Sequence, residues 1–326
     1  DKIRRSAKAT VVFLDFAQLW TMKYALPGFA LALTLFTCCS TKKGVENKAV
    51  GISGSPGTID HYEMMESSFI RARNVDVWLP EQYGQTDSLA VLYMHDGQNL
   101  FNPESSYAGI SWEVDVTLDK LIAEELIAPC LVVGIWNTPD RTMEYTPMAP
   151  YKLLTDTDKE LFSSNKRLKD SPRSNSYLKF IVYELKPFID SVYKTKVGKQ
   201  NTFIAGSSMG GLISLYALTE YPHVFGGAAC LSTHWPLGIK EDHPGFTNAY
   251  IDYLSARDTV FNHHKLYFDH GTIALDEWYE PHQKLVDSFF GNLSLSGHQY
   301  QSMKFNGAAH NEHAWQSRFH YVAEFL

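Results

Sequence analysis

Apolar runs of strand length and apolar stripes at helical spacing follow one another through most of this chain. Residues 89–94, 130–136 and 201–205 are nearly continuous apolar segments, as strands covered on both faces require. Between them, residues 112–127 and 176–193 place apolar side chains three and four apart, the spacing of one helix face. In the second stretch these are Tyr177, Phe180, Ile181, Leu185, Phe188, Ile189 and Val192. The same reading predicts one or two strands over 69–79, a helix over 211–218 and strands over 224–231 and 265–268. A helix over 279–290, a strand over 299–305 and a closing helix over 314–325 complete the series. Such alternation predicts an α/β fold: a mostly parallel, doubly wound sheet with helices on both faces, in a single domain from 61 to 326. Residues 138–175, polar and with several prolines, read as an insertion over the carboxyl edge of that sheet, where loops build substrate sites.

The first 60 residues break this pattern. After Met22-Lys23-Tyr24, residues 25–36 are apolar apart from one threonine and the Pro27-Gly28 pair, and Thr37-Cys38-Cys39-Ser40 follows. That run is too short to span a bilayer and has the length of a signal-peptide core. Its cysteine-terminated end resembles a bacterial lipoprotein signal, in which Cys38 or Cys39 would carry lipid; an ordinary signal peptide is the competing reading. Residues 1–21 lie upstream of a start at Met22. Residues 40–60, rich in Lys, Gly, Ser and Pro, are expected to form a flexible tether. The expectation is an exported protein, periplasmic or at the cell surface, meeting the membrane only through an N-terminal lipid anchor.

Composition narrows the partners. A formal net charge of -7, with no basic run interleaved with aromatics, argues against nucleic acid. No Cys-x-x-Cys or His-Glu-x-x-His occurs, so neither a metal nor another cofactor is expected. Cys130 and Cys230 sit in apolar strand-like runs and read as buried thiols.

The chemistry starts at Gly206-Ser207-Ser208-Met209-Gly210. A G-x-S-x-G between a short apolar strand and an apolar helix has the layout of a nucleophile elbow, which lifts a serine hydroxyl above the sheet edge. A serine needs a neighbouring base, and in this arrangement an acid and then a histidine follow it along the chain. His282 and His320 fall within helices, and His298 precedes the last strand. His310 and His313 follow that strand, and His310 sits in the open turn Asn306-Gly307-Ala308-Ala309-His310, so it is preferred as base. The acid belongs after the strand at 265–268. Asp276 lies far enough out to curve back toward His310, with Asp269 and Glu277 as alternatives and a helix cap as the plainer role for Asp276. An oxyanion needs two backbone N–H donors. Met209, next to the nucleophile, supplies one; Gln98, in the abrupt turn His95-Asp96-Gly97-Gln98, is expected to supply the other.

Three segments carry a resemblance: His95-Asp-Gly-Gln-Asn-Leu-Phe101, Gly206-Ser-Ser-Met-Gly-Gly211, and His310 with Trp315. Together with Arg141-Thr-Met-Glu-Tyr-Thr-Pro147 they make the chain from about residue 65 similar to the putative-esterase family of α/β-hydrolases. That family includes feruloyl and acetyl xylan esterases, enterobactin-type siderophore esterases and the antigen 85 mycolyltransferases. The resemblance implies Ser208 as nucleophile, His310 as base, an acid in the loop 271–276, and the amides of Gln98 and Met209 as oxyanion hole. It departs from the family in that loop, which is longer than the Gly-Thr-x-Asp spacing of feruloyl esterases. The function expected is an ester hydrolase acting through an acyl-enzyme on acetyl or hydroxycinnamoyl esters of carbohydrate, small or polymeric. A siderophore esterase, an acyltransferase and a non-catalytic carbohydrate-binding protein are the alternatives. Trp112 and Tyr145, with Tyr107, Trp136 and Tyr151, are the aromatic candidates for stacking on the substrate.

Overall fold

The apolar runs pair into one nine-stranded sheet of order β1-β2-β3-β5-β4-β6-β7-β8-β9. A computed structural model of the chain describes residues 47–50, 55–164, 171–237 and 242–326. The predicted signal segment, Cys38 and Cys39, and residues 1–21 lie outside the described residues. In chain order the strands are β1 (Asn47–Val50), β2 (Thr58–Met65), β3 (Arg73–Leu79), β4 (Ala90–His95) and β5 (Cys130–Ile135). They continue with β6 (Thr202–Ser207), β7 (Gly227–Leu231), β8 (Lys265–His270) and β9 (Tyr300–Lys304). The six strands from β5 through β9 pair in parallel, while β1, β2 and β3 form an antiparallel edge joined to β5. The mostly parallel α/β sheet read from the sequence is therefore present, with β3 where a strand was expected and two further edge strands, β1 and β2, that the sequence concealed. β1 and the first residues of β2 fall within the 40–60 span expected to be tether. Thr-Ile-Asp-His-Tyr-Glu-Met-Met buries only Ile59, Tyr62 and Met65, and three buried positions among five polar or exposed ones are a weak strand signal.

Helices α1 (Val114–Ala123), α2 (174–192, with a π turn at Ile181–Leu185), α3 (Met209–Glu220), α4 (Gly245–Ser255), α5 (Tyr279–Gly291) and α6 (Glu312–Phe325) cover the two faces. α1 and α6 pack on one face, around Trp78, Leu92, Met94, Trp112, Tyr267 and Phe319. The other four pack on the opposite face against Val91, Tyr93, Val133, Ile204 and Phe268. α3 is buried on every side from Met209 to Thr219, which explains a helix without a polar stripe. The described residues of the 138–175 insertion include three short helices, Arg141–Tyr145, Met148–Leu153 and Asp156–Ser164. Cys130 is half-buried and Cys230 buried, both as free thiols.

From β4 the chain runs outward to β5, then returns across β4 to β6 and continues the other way. Loops leaving neighbouring β4 and β6 therefore diverge, and a crevice opens between their carboxyl ends. Gln98 follows β4 and Ser208 follows β6.

Candidate active site

Ser208 has φ 58° and ψ -122°, a conformation that ordinary side chains avoid. It is held from both sides: its N–H donates to Leu231 O at 2.9 Å, and its carbonyl accepts from Gly211 N at 3.0 Å and His234 N at 3.1 Å. The turn also depends on close approach. A Cβ on Gly206 would lie 3.0 Å from the Gly210 backbone, and one on Gly211 would lie 2.6 Å from Thr233 Oγ1. The hydroxyl of Tyr279, which meets His234 Nδ1 at 2.7 Å, lies beside Ser208.

His310 leaves β9 through a turn in which Gly307 takes φ 79°. Its Nδ1 lies 2.6 Å from Asp276 Oδ1, and its ring meets Trp315 edge-on at 4.9 Å and Tyr279 at 5.5 Å. Asp276, in the turn Ala274–Trp278, is fully buried. Its second oxygen accepts from Ser232 Oγ and Gly271 N, both at 2.6 Å. Burial pushes the carboxyl up, but the bonds and charge of His310, with the Ser232 and Gly271 donors, outweigh it and hold it below the usual range. Gly271 is required here, because a Cβ would stand 2.1 Å from Ala308 O.

The alternatives in the sequence go elsewhere. Asp269 lies inside β8, bonded to Arg318 Nη2 at 2.9 Å and Tyr267 Oη at 3.1 Å, and burial pushes its carboxyl up. Glu277 is exposed. His313 is exposed on the first turn of α6, 3.3 Å from Gln316 Oε1. His282 is buried against Thr247 Oγ1 at 2.8 Å, and His320 stacks on Tyr321.

Gln98 lies in the turn Gly97–Asn99 after β4, introduced by Asp96 at φ 57°. The Asp96 carboxylate anchors that turn, accepting from Arg141 Nε at 2.7 Å, Arg141 Nη2 at 2.8 Å and Asn137 Nδ2 at 2.6 Å. Burial opposes its ionisation, yet the forked Arg141 bond and the Asn137 amide keep its carboxyl below the usual range. Asn137 N also donates to Gln98 Oε1 at 3.1 Å, and Ser105 Oγ to Gln98 O at 2.7 Å. Gln98 N and Met209 N open a short 3₁₀ turn and an α-helix, positions whose N–H groups have no partner within their own helix. Ser208, His310, Gln98, Asn137, Arg141 and Trp315 line one cleft of about 400 Å³.

Two predicted substrate contacts are corrected. Tyr145 is fully buried, its ring packed on His95 and Tyr177 and its hydroxyl 3.3 Å from Asp96 N, with Arg141 stacked over it at 4.9 Å. It supports the Gln98 turn from beneath. Trp112 is 3% exposed and packs behind Trp315, ring centres 5.4 Å apart, with no place in the cleft lining. Tyr107 does stand at the cleft, 92% exposed.

Three features escaped the sequence reading. Ser232 Oγ joins Asp276 to Trp315 Nε1 at 3.0 Å and Arg318 Nη2 at 2.7 Å. The Tyr279–His234 pair stands edge-on to His310, and the Arg141–Asp96 fork fixes the Gln98 turn. None belongs to a local motif, although Arg141 and Trp315 stand in the segments that carry the resemblance. Among the described residues, no three His, Cys, Asp or Glu side chains are placed to hold a metal ion.

A strained serine at a strand–helix turn, with a histidine–carboxylate pair in the same cleft, on this sheet, defines an α/β-hydrolase. The chain belongs to the putative-esterase family, whose model matches residues 67–324. Among curated relatives, the uncharacterized protein YbbA of Bacillus subtilis is 27% identical over 167 residues, 50% of this chain and 58% of that protein. An endo-1,4-beta-xylanase/feruloyl esterase of Xylanibacter ruminicola is 27% identical over 192 residues, 57% of this chain and 23% of that protein. Among solved structures, a ferulic acid esterase superposes with TM-score 0.60 at 17% identity, over 82% of this chain and 96% of its own. The enterobactin esterase FES of Shigella flexneri does so with TM-score 0.59 at 15% identity, over 85% of this chain and 60% of its own.

Proposed function

We propose that this protein is an exported serine hydrolase that cleaves acetyl or hydroxycinnamoyl esters of carbohydrate through an acyl-enzyme. The 2.6 Å bond between His310 Nδ1 and Asp276 Oδ1, in the cleft that Ser208 lines, carries the mechanistic part. With Nδ1–H donating to Asp276, the lone pair of His310 is at Nε2, the tautomer a general base needs. Ser208 Oγ attacks the ester carbonyl carbon while Nε2 takes its proton. The carbonyl oxygen becomes an oxyanion facing the N–H groups of Gln98 and Met209. Collapse breaks the bond to the alcohol, which leaves with the proton from His310, and Ser208 holds the acyl group. Water then repeats the sequence, giving its proton to His310 and releasing the acid.

The substrate class is supported by the xylanase/feruloyl esterase relative and the ferulic acid esterase likeness. Export rests on the pattern of residues 22–39. Ser208→Ala tests the mechanism: kcat on p-nitrophenyl acetate should fall by at least about 10³-fold with the fold intact by circular dichroism. Wild-type turnover in that variant would refute it. Acetylated xylan, methyl ferulate and ferric enterobactin compared side by side test the substrate, and turnover of the last alone would make this a siderophore esterase.

A further inference from the structure

Behind the proposed oxyanion turn lies a second concavity, of about 200 Å³, that the mechanism does not use. Its walls are Trp136, Phe101 and Ile59, and its polar groups come from His61, Asp76, Asn102 and Ser105. Strand geometry assembles it. Ile59 and His61 stand two apart on β2 and so share a face, His61 is paired across the ladder with Asp76 of β3, and Trp136 directly follows β5. One Asp76 oxygen meets His61 Nδ1 at 2.5 Å and the other accepts from Trp136 Nε1 at 2.5 Å. That bond, with an edge contact to His61 at 5.7 Å, sets the angle of the indole.

An indole so fixed, ringed by a carboxylate, an imidazole, an amide and a hydroxyl, matches a sugar ring. The C–H face of a sugar packs on an aromatic plate, while its hydroxyls both donate and accept. An anionic ligand would meet the Asp76 carboxylate, and a wholly apolar one would cover the Asn102 amide without offering it a hydrogen bond. The pocket also shares a wall with the cleft. Gly97 and Trp136 line the pocket, their neighbours Gln98 and Asn137 line the cleft, and Ser105 of the pocket bonds Gln98 O.

We infer that this pocket is a carbohydrate subsite, holding a sugar ring of the alcohol part beside the one that carries the acyl group. The inference rests on the carbohydrate-ester reading above, and its test separates the two. Trp136→Ala and, as a milder change, His61→Gln should raise KM for a feruloylated arabinoxylan oligosaccharide about tenfold, as loss of one aromatic contact implies. Their kcat/KM on methyl ferulate should stay within about twofold of wild type, since neither residue meets the reacting atoms. Equal losses on both substrates, or an unchanged KM for the oligosaccharide, would overturn the subsite. Binding is also read without catalysis, by saturation-transfer NMR of xylotriose on the Ser208→Ala protein. Transfer that disappears in Ser208→Ala/Trp136→Ala supports the subsite even if neither ester is hydrolysed, an outcome that would instead remove the esterase reading. No transfer, or transfer that survives Trp136→Ala, overturns the subsite.

Discussion

Ser232→Ala removes one oxygen atom on which three buried groups converge. That oxygen donates to Asp276 Oδ2 at 2.6 Å and accepts from Trp315 Nε1 at 3.0 Å and Arg318 Nη2 at 2.7 Å. Ser232 and Asp276 are 0% exposed, Arg318 2% and Trp315 5%, so water does not stand in for the lost partner. Not every group is orphaned: Arg318 Nη2 keeps Asp269 Oδ1 at 2.9 Å, and Asp276 Oδ2 keeps Gly271 N. The Trp315 indole N–H loses its acceptor. An orphaned buried donor costs about 1–3 kcal/mol and a bond to a charged group is worth about 1.5–3 kcal/mol; because such terms overlap, the net loss expected is about 3 kcal/mol. For a domain of this size, with roughly 2.1 cal/mol/K of unfolding entropy per residue, that lowers Tm by about 5 °C. Ser232 also takes φ 41°, a left-handed conformation that glycine adopts freely. Ser232→Gly loses the same bonds but sheds the backbone strain, and should melt above Ser232→Ala by the equivalent of about 1 kcal/mol. Activity should fall about tenfold in both, because Asp276 loses one of the donors that aim it at His310. Thermal unfolding and kcat on p-nitrophenyl acetate read the two effects separately. A Ser232→Ala protein with unchanged Tm and kcat would refute the idea that this hydroxyl positions the acid.

His310→Ala should approach the loss expected of Ser208→Ala while His313→Ala stays within a few-fold of wild type, and the reverse ranking on one activated ester would move the base to His313. Asp276→Asn should lower kcat by up to about 10⁴-fold by leaving the imidazole misoriented, whereas a near-normal rate would return the role to Asp269 or Glu277. Asp96 is held below its usual range by Arg141, so its contribution to stability is complete above the unfolded-state carboxyl range and disappears as pH falls through the lower folded value. Arg141→Gln should therefore lower Tm most at neutral pH and least below the carboxyl range; an equal drop at pH 3 and pH 7 would show that the ion pair is not the cause. The mature chain should begin at Cys38 or Cys39 and carry acyl mass, and an intact mass without lipid would point to an ordinary signal peptide.

The parts of the proposed site that the sequence determined by itself are those whose physics is local. Gly206 is a glycine because the strand and the helix beside Ser208 pass too close for a Cβ, a constraint carried within the five residues 206–210. The runs at 89–94, 130–136 and 201–205 became β4, β5 and β6 because strands buried on both faces leave a continuous apolar record. His310 and a carboxylate in the segment 269–277 were legible from chain order, since each follows a strand and loops at that edge reach the serine. Which carboxylate meets the imidazole was not. Asp269, Asp276 and Glu277 lie within nine residues, and only the fold shows one in strand β8 against Arg318, one turned to His310 and one in solvent. Tyr145 and Trp112 misled for the same reason: an aromatic side chain suits a core as well as a cleft, and only packing decides. Ser232, Trp315 and Arg318 meet across 83 and 86 residues of chain, a separation at which no spacing rule operates. Their convergence exists only once β7, the 274–278 turn and α6 have packed together.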